Sequence, residues 1–110
     1  MAETDGYIVV ITTSPDQATA EMIAGQLVED FEAACVQIVP AIKSFFRWQG
    51  KLEHAEEHLM LIKTRADKYD EIESKIRNLH PYEVPEIIAV PVTAGLSDYL
   101  IWINDNTKRL

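Results

Sequence analysis

Residues 33–64 constrain this chain more than any other stretch. "AACVQIVPAIKSFFRW" (33–48) is extended in pattern: Val36 and Ile38 alternate with Gln37, and Ile42, Ser44, Phe46 and Trp48 share a later parity. "QGK" (49–51) is a turn signal, and "LEHAEEHLMLIKT" (52–64) returns as a second strand. Fourteen residues of strand reach about 46 Å at about 3.3 Å each. The one helix that precedes the hairpin, about 16 residues, spans only about 24 Å. A single helix layer cannot cover such a hairpin, so its tip is expected to project with Phe45, Phe46 and Trp48 near it. Exposed aromatics on a projecting sheet point to a partner subunit. The competing arrangement bends at Pro40 and folds the hairpin back on its own core. Pro40 cannot donate to a ladder, so a bulge or bend is expected there in either case.

The flanking elements follow from periodicity. "YIVVITT" (7–13) is a short β-branched run and reads as a buried strand. "SPDQ" (14–17) opens a helix, with Ser14 as cap, Pro15 in the first position and Gln17 completing a capping box. Ala20, Ile23, Ala24, Leu27, Val28 and Phe31 form its apolar stripe. A second helix covers 66–79, with Asp67 in its cap region and Tyr69, Ile72, Ile76 and Leu79 buried. It ends at His80, which precedes a proline. A fourth strand is read at 86–92, and a short helix at 97–107 capped by Ser97. The order strand, helix, strand, strand, helix, strand, helix predicts a single α+β domain over 1–110. It is a ferredoxin-like βαββαβ sandwich with a long β-hairpin and a short C-terminal helix. One sheet face is left uncovered, which again argues for an oligomer.

Charge narrows the partners. The formal net charge of -8 repels phosphate backbones, so no nucleic acid and no anionic membrane is expected to bind. No apolar run approaches the roughly 20 residues of a membrane span. The single cysteine, Cys35, excludes an internal disulfide. With the acidic start "MAETDG" in place of a basic signal region, a cytoplasmic protein is expected.

"NLHPYEVPE" (78–86) concentrates a histidine, a tyrosine, two glutamates and two prolines. His80 can bind a metal, exchange a proton or satisfy backbone groups, and Glu83 and Glu86 are its nearest carboxylates. Pro81 and Pro85 fix the backbone and end the helix. Tyr82 is expected to bury its ring and bond through its hydroxyl, and Glu83 to pair with Lys63 or Arg65. Trp48, Glu57, Lys63, Tyr82 and Glu83 form a candidate ligand cleft between subunits; an interface salt bridge is the equal alternative. Cys35 reads as a small buried hydrophobe, with a reactive or ligating thiol as the rival. His54, Glu56 and His58 share one strand face, about 7 Å per step, too far apart for one tight metal site. "HAEEH" lacks the helix of a metalloprotease motif. No phosphate-binding glycine loop or CxxC pair is present.

The blocks "SPDQATAEMIAGQLVED", "AACVQIVP", "SFFRWQGKLE", "LIKTRAD", "HPYEVPEIIAVPV" and "YLIWIND" together resemble the CutA family of divalent-cation tolerance proteins. The resemblance implies a homotrimer, an architecture related to PII signalling proteins, and a link to copper and other divalent metal ions without an enzymatic reaction. It implies no obligatory cofactor, and metal ligands at His80 and Cys35. Some bacterial members carry a cysteine where the first strand ends and a histidine pair before Pro-Tyr. Here Thr12 replaces the cysteine and Leu79 the first histidine, so a soft copper site is not carried over intact. Phe46 stands where a tyrosine is common. A PII-like module binding a small ligand in the intersubunit cleft is the second reading, and an enzyme using His80 and Glu83 as acid and base the third.

Overall fold

A computed structural model describes residues 6–109; the acidic residues 1–5 and residue 110 lie outside the described residues. The elements run β1 (Tyr7–Ser14), α1 (Gln17–Glu29), β2 (Cys35–Trp48), β3 (Lys51–Arg65), a 3-10 turn (Ala66–Lys68), α2 (Tyr69–Leu79), β4 (Ile87–Pro91) and α3 (Ser97–Asp105). The four strands form one sheet in the order β2-β3-β1-β4. Every neighbouring pair is antiparallel. β4 is an edge strand, and Pro91 therefore costs no central ladder bond.

Alternation along β1 assigns the two faces. Ile8 and Val10 join Met60 and Ile62 of β3 in a core closed by Ala20, Ile23 and Leu27 of α1 and Ile72 and Ile76 of α2. Tyr7, of opposite pleat to Ile8, packs instead with Leu100 and Ile103 of α3. The second face is thus not wholly open: α3 covers one end. The rest presents Val39, Ile88 and Val90, each at least 40 % exposed.

The hairpin projects. Phe45, Trp48 and Leu52 are exposed to 68, 46 and 73 %, so the tip does not fold back on the core. The long axis of the molecule is 46 Å against 26 and 22 Å. Its radius of gyration is 14.7 Å, where a compact chain of this length has about 13 Å. The two-residue connection Gln49–Gly50 has φ of 51° and 79°, the doubly left-handed form whose twist matches the flanking strands. Near Pro40 the ladder slips between Val39↔Leu59 and Ile42↔Glu57, leaving Pro40 and Ala41 opposite His58 alone. Ala41 takes φ 61° there. The bulge flips the parity, so Gln37 and Val39 before it share a face with Ile42, Ser44 and Phe46 after it.

Several helix ends differ from the sequence expectation. The cap of α1 is Asp16, whose Oδ1 accepts the Thr19 N–H at 2.7 Å. Ser14 is still strand and donates its hydroxyl to the Asp16 carbonyl at 2.8 Å. With Pro15 between, only Asp16 has its side chain at the correct offset. Phe31 is not in the α1 stripe: the helix ends at Glu29, and Phe31 adopts φ 60° just beyond it, as a left-handed terminator does. Asp67 lies in the 3-10 turn and pairs with Arg65 at 3.2 Å instead of capping α2. Ser97 is the first residue of α3, whose cap position is Leu96 with no side-chain bond.

Candidate functional site

The β1–β4 ladder ends at Thr12↔Ile87, two residues before β1 itself ends. The loop 80–86 fills the vacated edge. Thr12 Oγ1 donates to the Glu86 carbonyl at 2.6 Å. His80, 7 % exposed, donates from Nε2 to the Thr13 carbonyl at 2.6 Å. Its Nδ1 accepts the Tyr82 N–H at 3.1 Å. The two bonds fix the neutral tautomer with the proton on Nε2. The imidazole therefore stands in for the missing strand residue, and both nitrogens are engaged.

Beyond Pro81 the chain turns back over the second face. The His80 and Tyr82 rings lie 4.8 Å apart at 56°. The Tyr82 hydroxyl donates to Glu57 Oε2 at 2.9 Å, joining residues 25 apart. Glu57 is only 6 % exposed. Burial, and then the hydrogen bond and negative charge of Glu57, push the Tyr82 phenol up to about 12. Tyr82 and Glu57 border a cavity of about 480 Å³, lined further by Thr13, Ser44, Phe45, Phe46, Val84, Pro85 and Glu86.

Of the five residues expected in the cleft, the fold brings together Glu57 and Tyr82. Lys63 lies six residues along β3 from Glu57, about 20 Å away, and its ammonium donates to Gln37 Oε1. Trp48 faces Lys51 at the hairpin tip, six residues from Ile42, the partner of Glu57. Glu83 is exposed and outside the cavity lining. Its expected cations are engaged elsewhere: Lys63 with Gln37, and Arg65 with Asp67 and Thr107.

Within one chain His80 and Cys35 lie apart. Cys35 is opposite Lys63, whereas His80 binds at Thr13, opposite Leu59. Four residues of strand, about 13 Å, separate the two positions. His54, Glu56 and His58 have the pleat of Met60, away from Glu57, and the His54 ring lies 5.6 Å from that of Phe45, tilted by 35°. Among the described residues, no group of three or more His, Cys, Asp and Glu is arranged to hold a metal ion.

Sequence reasoning missed the cavity walls at Thr13, Ser44, Phe45, Val84 and Pro85. The signal for Ser44 was present: the shift in parity at Pro40 puts it on the Glu57 face.

The CutA1 divalent ion tolerance protein model matches residues 8–106. The Divalent-cation tolerance protein CutA of Thermus thermophilus is 43 % identical over 99 residues, 90 % of this chain and 96 % of that protein. The crystal structure of CutA from Xylella fastidiosa superposes with a TM-score of 0.91 at 42 % identity, covering 94 % of this chain and 99 % of that one. The Archaeoglobus fulgidus structure, TM-score 0.90 and 41 % identity over 93 % of this chain and 99 % of that one, is described as a periplasmic divalent cation tolerance protein. Among the described residues no helix is long and apolar enough to cross a membrane. The α+β architecture, the four-stranded antiparallel sheet and the match along nearly the whole sequence agree, and this chain belongs to the CutA1 divalent ion tolerance family.

Proposed function

We propose that the chain is a non-catalytic divalent-cation tolerance protein that works as a homotrimer of ferredoxin-like subunits in the cytoplasm. It responds to metal ions by binding copper or another divalent cation. The match of the CutA1 family over residues 8–106 carries this reading. The trimer is supported by the apolar second face at Val39, Ile88 and Val90 and by the projecting aromatics Phe46 and Trp48. No single-chain cluster supplies three ligands among the described residues, so a metal site draws its remaining donors from a neighbouring subunit. Calorimetric titration of metal-free protein with Cu and Zn tests the reading, together with light scattering. Saturable binding at a mass near three times 12.5 kDa supports it. A chain that binds neither metal, or stays monomeric while binding, contradicts it.

A second reading is favoured by the Glu57–Tyr82 cavity: a regulatory module, PII-like in architecture, that holds a small ligand there. A buried carboxylate oriented by a tyrosine at the wall of a half-apolar cavity is the composition of a ligand site.

A further inference from the structure

The ten lysines and arginines of this acidic chain are unevenly spread. Five of them, Arg65, Lys68, Lys75, Lys108 and Arg109, line one cavity of about 590 Å³. Arg65 is the last of the 15 residues of β3 and Lys51, at the hairpin tip, the first, so about 46 Å of strand separates them. The helical walls, the α1 cap Asp30 and Lys75 of α2, belong to the layer over the first sheet face. The cavity is thus away from the apolar second face and from the hairpin.

Arg65 draws the C-terminal segment to this place. Its Nε donates to Thr107 Oγ1 and its Nη2 to the Thr107 carbonyl, both at 2.9 Å. Thr107 is fully buried, so Lys108 and Arg109 are delivered to the same cavity as Lys68 of the 3-10 turn.

The five cations are not equally spent. Lys75 pairs with both Asp30 and Glu32. Arg65 holds Thr107 and, at 3.2 Å, Asp67. Among the described residues, the nearest carboxylates to Lys68 and Lys108 are Glu71 and Asp105, each at 3.7 Å, beyond hydrogen-bond distance. Arg109 reaches the Asp30 carbonyl at 3.4 Å and lays its guanidinium over Phe31 at 5.4 Å. Lys68 is the informative one: only 20 % of its side chain is exposed, and an ammonium carries three donors. With Asp67 and Asp105 counted beside Asp30, Glu32 and Glu71, carboxylates equal cations here, and the net charge of -8 lies elsewhere in the chain. Unspent donors, more than net charge, therefore decide what the cavity accepts.

We propose that this cavity binds a compact multivalent oxyanion, a diphosphate group held by Lys68, Lys108 and Arg109. Phosphoryl oxygens accept from ammonium and guanidinium alike, and two linked groups offer enough acceptors for three cations. A long polyanion is disfavoured by the acidity of the remaining surface.

The test titrates the full chain, metal-free because pyrophosphate chelates divalent ions, with sodium pyrophosphate and with inorganic phosphate. Ionic strength is held constant, and heat and melting temperature are followed. Saturable binding of pyrophosphate, about ten-fold or more tighter than phosphate, is expected. Lys68→Gln should weaken it by about ten-fold or more. Lys68→Arg keeps the charge and should stay within about three-fold, which separates loss of binding from loss of fold. Arg77→Gln removes the same charge from the exposed surface of α2, outside the cavity, and should leave binding unchanged. Equal weakening by Arg77→Gln and Lys68→Gln would reduce the binding to diffuse charge and overturn the site. Phosphate bound as tightly as pyrophosphate would overturn the multivalent class. Neither saturable heat nor a rise in melting temperature with pyrophosphate would overturn the inference outright.

Discussion

The Tyr82 hydroxyl sits 2.9 Å from Glu57 Oε2 and ties the loop after α2 to the middle of β3. Glu57 is buried on the second sheet face, and the phenol is the one side-chain donor that reaches it among the described residues. Loop and hairpin are coupled through this bond.

Removing the donor tests that coupling. Tyr82→Phe leaves a buried carboxylate oxygen without its partner. The expected cost is about 1–3 kcal/mol, read from urea unfolding midpoints at neutral pH. Glu57→Gln, which still accepts the hydroxyl, should cost less. A larger loss in Glu57→Gln than in Tyr82→Phe would show that the charge of Glu57, and not its hydrogen bond, matters.

Tyr82 also sets a pH limit. Its folded value, about 12, lies above the ordinary 10.0, so the native state holds the proton more tightly than the unfolded chain. The contribution is fully present below pH 10 and is lost as pH rises toward 12. Tyr69 and Tyr99 are raised as well, so the informative quantity is the difference between the native protein and Tyr82→Phe. That difference should shrink across this window, and a constant gap would place the linkage elsewhere.

His80 is expected to matter for stability more than for metal. His80→Ala unpairs the Thr13 carbonyl and the Tyr82 N–H at a buried site, at about 1–3 kcal/mol each. Copper affinity of the folded variant should stay within about two-fold of native, because both imidazole nitrogens already have protein partners. A ten-fold loss of affinity would show that the imidazole swings out to ligate.

The hairpin bulge offers a stabilising substitution. Ala41 holds φ 61°, a region that a side chain with a Cβ enters at a cost of roughly 1–2 kcal/mol. Ala41→Gly removes that cost but loses some unfolded-state restriction. The expected net gain is about 0.5–1 kcal/mol in thermal or urea unfolding. A loss would mean that the methyl group packs in the assembled protein.

How much of this was written in the sequence depends on the range of the interaction. Local signals carried the elements: the stripe Ala20, Ile23, Leu27 marked the buried face of α1, and Pro40 marked the bulge between Val39 and Ile42. They also marked where α2 stops, since His80 precedes a proline. The cap of α1 was misplaced by two residues because Ser14, Pro15 and Asp16 all carry start signals, and only geometry selects Asp16. Of the residues expected in a cleft between subunits, one pair is formed within the chain itself. Glu57 and Tyr82 meet because the loop folds over the edge of β1, whereas Lys63 and Trp48 share strands with the site yet sit about 20 Å along them. Sequence proximity to a strand end gave no measure of that distance. Backbone satisfaction by His80 was among the readings the sequence allowed, but its partner was hidden for the same reason: the Thr13 carbonyl is 67 residues away.

Assembly is the prediction with the widest reach. Phe46 and Trp48 are 42 and 46 % exposed on the hairpin, and Val39, Ile88 and Val90 are exposed on the face below. By register Phe46 and Trp48 have the pleat of Glu57, and so do Val39 before the bulge and Leu59 on β3. The exposed apolar groups therefore line one continuous surface that runs from the sheet onto the hairpin, and not two scattered patches. Burying each aromatic ring against a neighbouring chain contributes on the order of 1–2 kcal/mol, since about half of each is already covered. Phe46→Ser with Trp48→Ser should shift the equilibrium toward monomer at micromolar concentration in sedimentation or light scattering. Melting of the native protein should rise with concentration, because association stabilises only the folded chain. In the double variant that dependence should move to higher concentration. A native protein whose melting temperature is the same over a hundred-fold range of concentration, at the mass of one chain, would show that the apolar face is tolerated in water and would remove the trimer from the proposed function.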